Sequence, residues 1–126
     1  MPWPELAAVS LGAAAGGVLR WLAALWLNDH WAGFPLGTLF VNCAGGLLAG
    51  VALGWFERQS SDLLRLLVVT GVLGGFTTFS AFSLESLQLL QRGQWPLALG
   101  HAVAHVAGAL ASAALGLRLV QMFLAR

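Results

Sequence analysis

Charge is what this 126-residue chain lacks, since only 9% of its residues are Asp, Glu, Lys or Arg, against about 25% in a soluble domain. So few ions cannot keep a folded surface wet, which excludes an ordinary soluble globule. Lysine is absent altogether, and six arginines meet five acids for a formal net charge of +1. Without a basic stripe or patch to neutralise phosphates, a nucleic acid partner is excluded. The single cysteine, Cys43, cannot close an intrachain disulfide, so the fold is not a stapled secreted scaffold. It reads as a small buried residue, and apolar helix packing must hold the chain together.

Apolar residues are present in excess, at 59%, with a mean hydropathy of +0.82. A bilayer-spanning helix needs about 20 of them in a row. Four runs qualify, over residues 6–27, 36–56, 63–90 and 97–124, the last starting after Pro96. The first lacks the basic flank and small-residue cleavage site of a signal peptide. The expectation is an all-α integral membrane protein, residues 1–126 forming one four-helix domain.

Short connections, residues 28–35, 57–62 and 91–95, carry turn-forming residues and make sequential helices antiparallel, with both termini on one side. Trp3, Trp26, Trp31, Trp55 and Trp95 fall near span ends, where an indole buries its ring and wets its N–H. Arg58, Arg65, Arg118 and Arg126 lean to the face of the termini, against Arg92 on the other. This bias is weak, and so small a chain could insert either way up. Small residues at fourfold spacing, such as Gly12 and Gly16, or Gly46, Gly50 and Gly54, give every span a face for close helix approach. Packing within the chain accounts for most of these faces, while the little that four helices can bury points to a homo-oligomer.

The densest signal is GVLGGFTTFSAFSLE, residues 71–85. Paired glycines and paired threonines are poor helix formers, so the third helix is expected to be broken near Gly74 to Thr78, with freed carbonyls able to hold a cation. Beyond it, Phe76, Phe79 and Phe82 run beside Thr77, Ser80 and Ser83 on adjoining helix faces. Such stripes are usually packing, and membrane hydroxyls often bond their own backbone. The second span, however, sets Thr38 and Asn42 four apart on one face, and Arg20 lies inside the first. A buried amide and a buried guanidinium both need partners. Hydroxyls, an amide, ring edges and an arginine together favour a small anion.

GAAAGGVLRW (12–21), GTLFVNCAGG (37–46) and above all GVLGGFTTFSAFSLE resemble the signatures of the Fluc/CrcB fluoride channels over essentially the whole chain. The resemblance implies a dual-topology antiparallel homodimer in the cell inner membrane, with two parallel pores that export cytoplasmic fluoride passively. It implies a pathway lined by Asn42, Phe79 and Phe82, and a structural sodium held at the dimer centre by backbone carbonyls of Gly74 and Thr77. Arg20 closes the first motif and gathers anions or serves structure. Thr38, Ser80 and Ser83 supply further hydroxyl donors.

Two departures stand out. Ala81 takes the place of a hydroxyl residue in the motif, and in the fourth span His101 and His105 replace the usual tyrosine and serine. Imidazole N–H groups can donate to fluoride; the pair could equally make helix contacts, or bind a metal, although no third ligand has suitable spacing. Glu85 reads as structural, paired with an arginine or bonded to backbone. A proton-coupled exporter of the small multidrug-resistance type has the same length and span number, but it needs a mid-span carboxylate in the first helix, where this chain has Arg20 and only a terminal Glu5. An assembly subunit would leave Asn42 unexplained. No nucleophile elbow or metal motif marks an enzyme.

Overall fold

The computed structural model describes residues 1–29 and 34–126. The fold is all-helical: α1 (Trp3–Leu27), α2 (Leu36–Phe56), α3 (Asp62–Arg65), a π-helical stretch (Leu66–Leu73), α4 (Gly74–Phe76), α5 (Phe79–Gln91) and α6 (Trp95–Leu124). Together these form four helical spans long and apolar enough to cross a bilayer, Trp3–Leu27, Leu36–Phe56, Asp62–Gln91 and Trp95–Leu124. The chain is a multi-pass membrane protein.

Helix ends differ from the expected ones for a simple reason. Pro96 does not precede the fourth helix but sits in its first turn, as Pro4 does in α1. Proline lacks an N–H that the first turn leaves unpaired anyway, and its fixed φ suits a helix start. Trp3, Trp26, Trp55 and Trp95 lie exposed near helix ends, whereas Trp31 falls outside the described residues. Gly93, at φ +71°, ends α5: its N–H bonds the Leu90 carbonyl and the Gln94 N–H reaches Leu89, turning the chain directly into α6.

Glycines set which helices pair. A Cβ on Gly46 would come within 2.7 Å of the Ala109 carbonyl oxygen, and Cβ atoms on Gly50 and Gly116 would strike the Ala113 and Leu47 carbonyls. Gly12 and Gly16 meet the backbone of Leu67–Gly71 and Val72–Phe76 in the same way. Both sets of contacts advance in register, so α2 runs parallel to α6 and α1 runs parallel to the third span. Alternate crossings of a chain with short connections produce that arrangement. These glycine faces are thus used inside the chain, and an argument for assembly must rest elsewhere.

The third span carries two irregularities. Its Leu66–Leu73 segment is wound as π-helix, with Gly71 pressed against Gly12. Further on, Thr77 (φ −81°, ψ 155°) and Thr78 (φ −151°, ψ 120°) are extended between α4 and α5. Gly74 and Gly75, expected to join that irregularity, are helical. The threonines carry it instead, β-branched residues that suit extended backbone. The Thr78 hydroxyl then caps α5, accepting from the Ala81 N–H at 3.0 Å.

Replacing Gly50 by Val drives a side chain into the Ala113 backbone, so the α2–α6 pair must separate; overpacking of this kind costs about 1–3 kcal/mol or more. Gly17, whose Cβ position meets nothing within 4 Å, is the control. Thermal melting in detergent is expected to drop by several degrees for Gly50→Val and to stay unchanged or rise for Gly17→Ala.

Candidate functional site

Asn42 projects from α2 at the extended pair of the third span. Its Oδ1 accepts from the Thr78 N–H at 2.8 Å, and its Nδ2 donates to the Thr78 carbonyl at 3.0 Å. The second Nδ2 hydrogen faces His105 Nδ1 at 3.0 Å. Both amide hydrogens are used, and the reciprocal bonds to Thr78 fix which way the carboxamide points. His105 Nδ1 is consequently an acceptor, and the neutral ring carries its proton on Nε2. That Nε2 is buried and has no hydrogen-bond partner among the described residues.

A second polar chain lies alongside. Thr38 Oγ1 donates to Glu85 Oε2 at 2.6 Å, Glu85 Oε1 lies 3.3 Å from His101 Nε2, and His101 Nδ1 lies 3.1 Å from Ser86 Oγ. His101 is completely buried. Glu85 therefore pairs with a threonine and a histidine rather than with an arginine or the backbone. Its position also corrects the expectation that no third metal ligand accompanies the histidines: ligand atoms of Glu85, His101 and His105 all lie within 4.8 Å of one another. The signal was spatial, since α5 and α6 reverse through Gly93 and bring residues 16 and 20 positions apart in sequence side by side.

Aromatic rings seal these chains. Phe82 stacks on His101, centroids 5.0 Å apart at 12°, and lies 4.7 Å from His105 and 5.4 Å from Phe79. An open cleft of about 500 Å³ collects Asn42, Phe79, Phe82 and His105 together with Gly74, Thr77 and Thr78. Thr38, Arg20 and Glu85 border a second cleft of about 270 Å³. The Arg20 Nε donates to the Gly75 carbonyl at 3.1 Å. Ser80 and Ser83 are exposed on α5 and border neither cleft. The Ser83 hydroxyl bonds back to the Phe79 carbonyl, and Ser80 Oγ lies 3.2 Å from Thr78 Oγ1.

Fold and site define a small polytopic helical membrane protein in which buried polar residues line clefts between helices. The family model described as CrcB-like protein, Camphor Resistance (CrcB), matches residues 7–117. The chain belongs to the CrcB family, whose members are ion channels and not enzymes. It is 49% identical over 115 residues to a fluoride-specific ion channel FluC of Aromatoleum aromaticum, covering 90% of this chain and 88% of that protein. A FluC of Marinobacter nauticus is 47% identical over 116 residues, covering 90% and 92%, and one of Bordetella petrii is 50% identical over 112, covering 87% and 86%.

Removing the Asn42 carboxamide leaves the Thr78 N–H and carbonyl and His105 Nδ1 without this partner. Each buried group so stranded costs about 1–3 kcal/mol. Asn42→Ala is expected to lower the melting temperature in detergent and to speed hydrogen exchange at the Thr78 amide well beyond that of α2 amides; equal protection in both proteins would mean that the clamp contributes nothing.

Proposed function

We propose that this protein is a fluoride-selective passive channel that lets cytoplasmic fluoride leave across the cell inner membrane. The observation that carries the reading is the cleft in which Asn42, Phe79, Phe82 and His105 meet, together with the fluoride channels to which the chain is similar. Fluoride is small and strongly hydrated, so a path through apolar surroundings must replace its water with fixed positive ends. Phe79 and Phe82 offer ring edges, which carry the positive part of the aromatic quadrupole. The His105 Nε2–H, unpartnered among the described residues, offers a neutral donor. Asn42 acts here as the wall that orients Thr78 and His105, since its own hydrogens are spent. Arg20 draws anions toward the neighbouring cleft, where Thr38 donates to Glu85; Ser80 and Ser83, which border neither cleft, stand outside the lining. His101 stands behind, stacked on Phe82 and linked to Glu85. Neutral, weakly binding sites in series let the ion leave as easily as it enters.

The working unit in this proposal is a dual-topology antiparallel homodimer with two pores. Phe79 is 77% exposed on the single chain, and no span has more than 33% of its most apolar window buried. A pore-lining ring left so open needs a second copy to close the path around it. A sodium ion at the dimer centre fits the residues present. The Thr78 N–H that would bond the Gly74 carbonyl in a helix goes to Asn42, and the Ala81 N–H that would bond the Thr77 carbonyl goes to the Thr78 hydroxyl. Gly74 and Thr77 thus have carbonyls without their ordinary helical donors, and oxygen ligands suit a hard cation. Gly74 also adjoins open space, as a Cβ there would meet only the Val69 carbonyl oxygen, 3.6 Å away.

Purified protein in liposomes, with a potassium ionophore clamping the voltage, is expected to release fluoride rapidly and chloride negligibly. Phe79→Ile and Phe82→Ile are expected to cut fluoride efflux at least a hundredfold while eluting from a sizing column like the parent. Equal efflux of both halides, or full flux in both variants, would overturn the proposal.

A further inference from the structure

The Glu85, His101 and His105 side chains also form a coherent donor set for a metal. We infer that they bind a zinc-class divalent cation, and that the bound cation blocks the fluoride path. The set is chemically distinct from the carbonyl cradle of Gly74 and Thr77: two imidazoles and one carboxylate suit a borderline transition metal, whereas calcium and magnesium seek six or more oxygens.

The geometry is close to what such an ion needs. Bonds of about 2.0–2.2 Å in a tetrahedron put ligand atoms about 3.4 Å apart. Glu85 Oε1 and His101 Nε2 are already 3.3 Å apart. One ligand atom from each of the three residues lies within 4.8 Å of the other two, so the widest of these pairs closes by at most about 1.4 Å. The surrounding bonds hold two of the ligands ready. Thr38 Oγ1 donates to the other carboxylate oxygen of Glu85, and Ser86 Oγ stands 3.1 Å from His101 Nδ1, where it can accept the proton of a ring ligating through Nε2. Partners of this kind orient metal ligands and typically alter affinity about 10–100-fold. The His105 side chain is 4% exposed, and its Nε2 is buried with no hydrogen-bond partner among the described residues. A cleft of about 280 Å³ lined by Asn28, Gln88 and Arg92 among others reaches Glu85.

Proton placement supplies the block. The Asn42 amide holds the neutral His105 proton on Nε2, which makes that atom a donor toward an anion. Ligation through Nε2 needs its lone pair, so the ring's one proton moves to Nδ1 and the Asn42 donor must turn away. Cation and fluoride exclude one another at this nitrogen, and the Asn42 wall is displaced as well.

The test uses the whole dimer, purified without a polyhistidine tag and freed of metal. Cobalt(II) titration of the intact protein is expected to give intense visible d–d bands at one cobalt per chain, displaced by zinc. His105→Gln and Glu85→Gln, checked for parent-like elution, are expected to weaken cobalt binding at least tenfold, while His30→Ala, altering the remaining histidine of the chain, leaves it unchanged. Absence of the bands in the parent, or bands of equal affinity in His105→Gln, would overturn the site. Zinc added to parent proteoliposomes is expected to slow fluoride efflux at least tenfold over the concentration range in which it displaces cobalt; binding without slowing would overturn the block. This last readout rests on the proposed channel activity, which efflux from metal-free vesicles tests separately, whereas the cobalt spectrum does not depend on it.

Discussion

The carboxamide of Asn42 closes on the peptide of Thr78 from both sides, accepting its N–H and donating to its carbonyl. In an apolar medium that exchange makes extended backbone tolerable, because every polar group released from the helix must find another partner. The consequences spread outward from it. With the Thr78 N–H taken, α4 cannot run on into α5, and α5 starts afresh on the Thr78 hydroxyl with Phe79 and Phe82 aimed by that new start. The amide hydrogen left over decides the tautomer of His105 across the cleft. One side chain therefore sets the direction of a helix, frees two carbonyls and fixes the sign of a buried imidazole nitrogen.

Polar groups around this clamp are joined into chains. Thr38, Glu85, His101 and Ser86 satisfy one another between three helices, and Arg20 reaches the Gly75 carbonyl. A carboxylate and a guanidinium at membrane depth are costly alone, and pairing of this sort is how they are retained. The chains tie α1, α2 and α6 to the third span at the level of the extended pair. Glycine contacts bind the helices elsewhere along their length, through backbone approach that lipid alone would not drive.

The four spans were legible from apolar run length, and the glycine faces from their fourfold spacing. Asn42 and Thr38 stood out because an amide and a hydroxyl at membrane depth need a reason. Finer features were hidden for physical reasons. Nothing in the apolar run of Leu66–Leu73 marks a wider helical turn, and the close approach of Gly71 to Gly12 within it joins residues far apart in sequence. The extended residues were expected to include the glycines because glycine is the weaker helix former, yet the deciding event was a distant side chain capturing the Thr78 N–H. Thr78 as a helix cap was readable in principle, being a threonine three residues before the amide it accepts from. The meeting of Glu85 with two histidines was not, because it depends on how α5 and α6 pack after their reversal at Gly93.

A histidine in a membrane cleft has no fixed preference for anions or cations; its surroundings assign one. At His101 both ring nitrogens have partners, a carboxylate and a hydroxyl. At His105 one nitrogen has a partner, an amide that can only donate once Thr78 holds it. The other nitrogen must then present a hydrogen, buried in an apolar wall and unpartnered among the described residues. The imidazole of His105 keeps a neutral donor at this point of α6 while its ring packs on Phe82. It also adds a lone pair that becomes available whenever Asn42 lets go. Which nitrogen of this ring carries the hydrogen thus depends less on the imidazole than on the peptide of Thr78, two hydrogen bonds away, which holds the Asn42 amide.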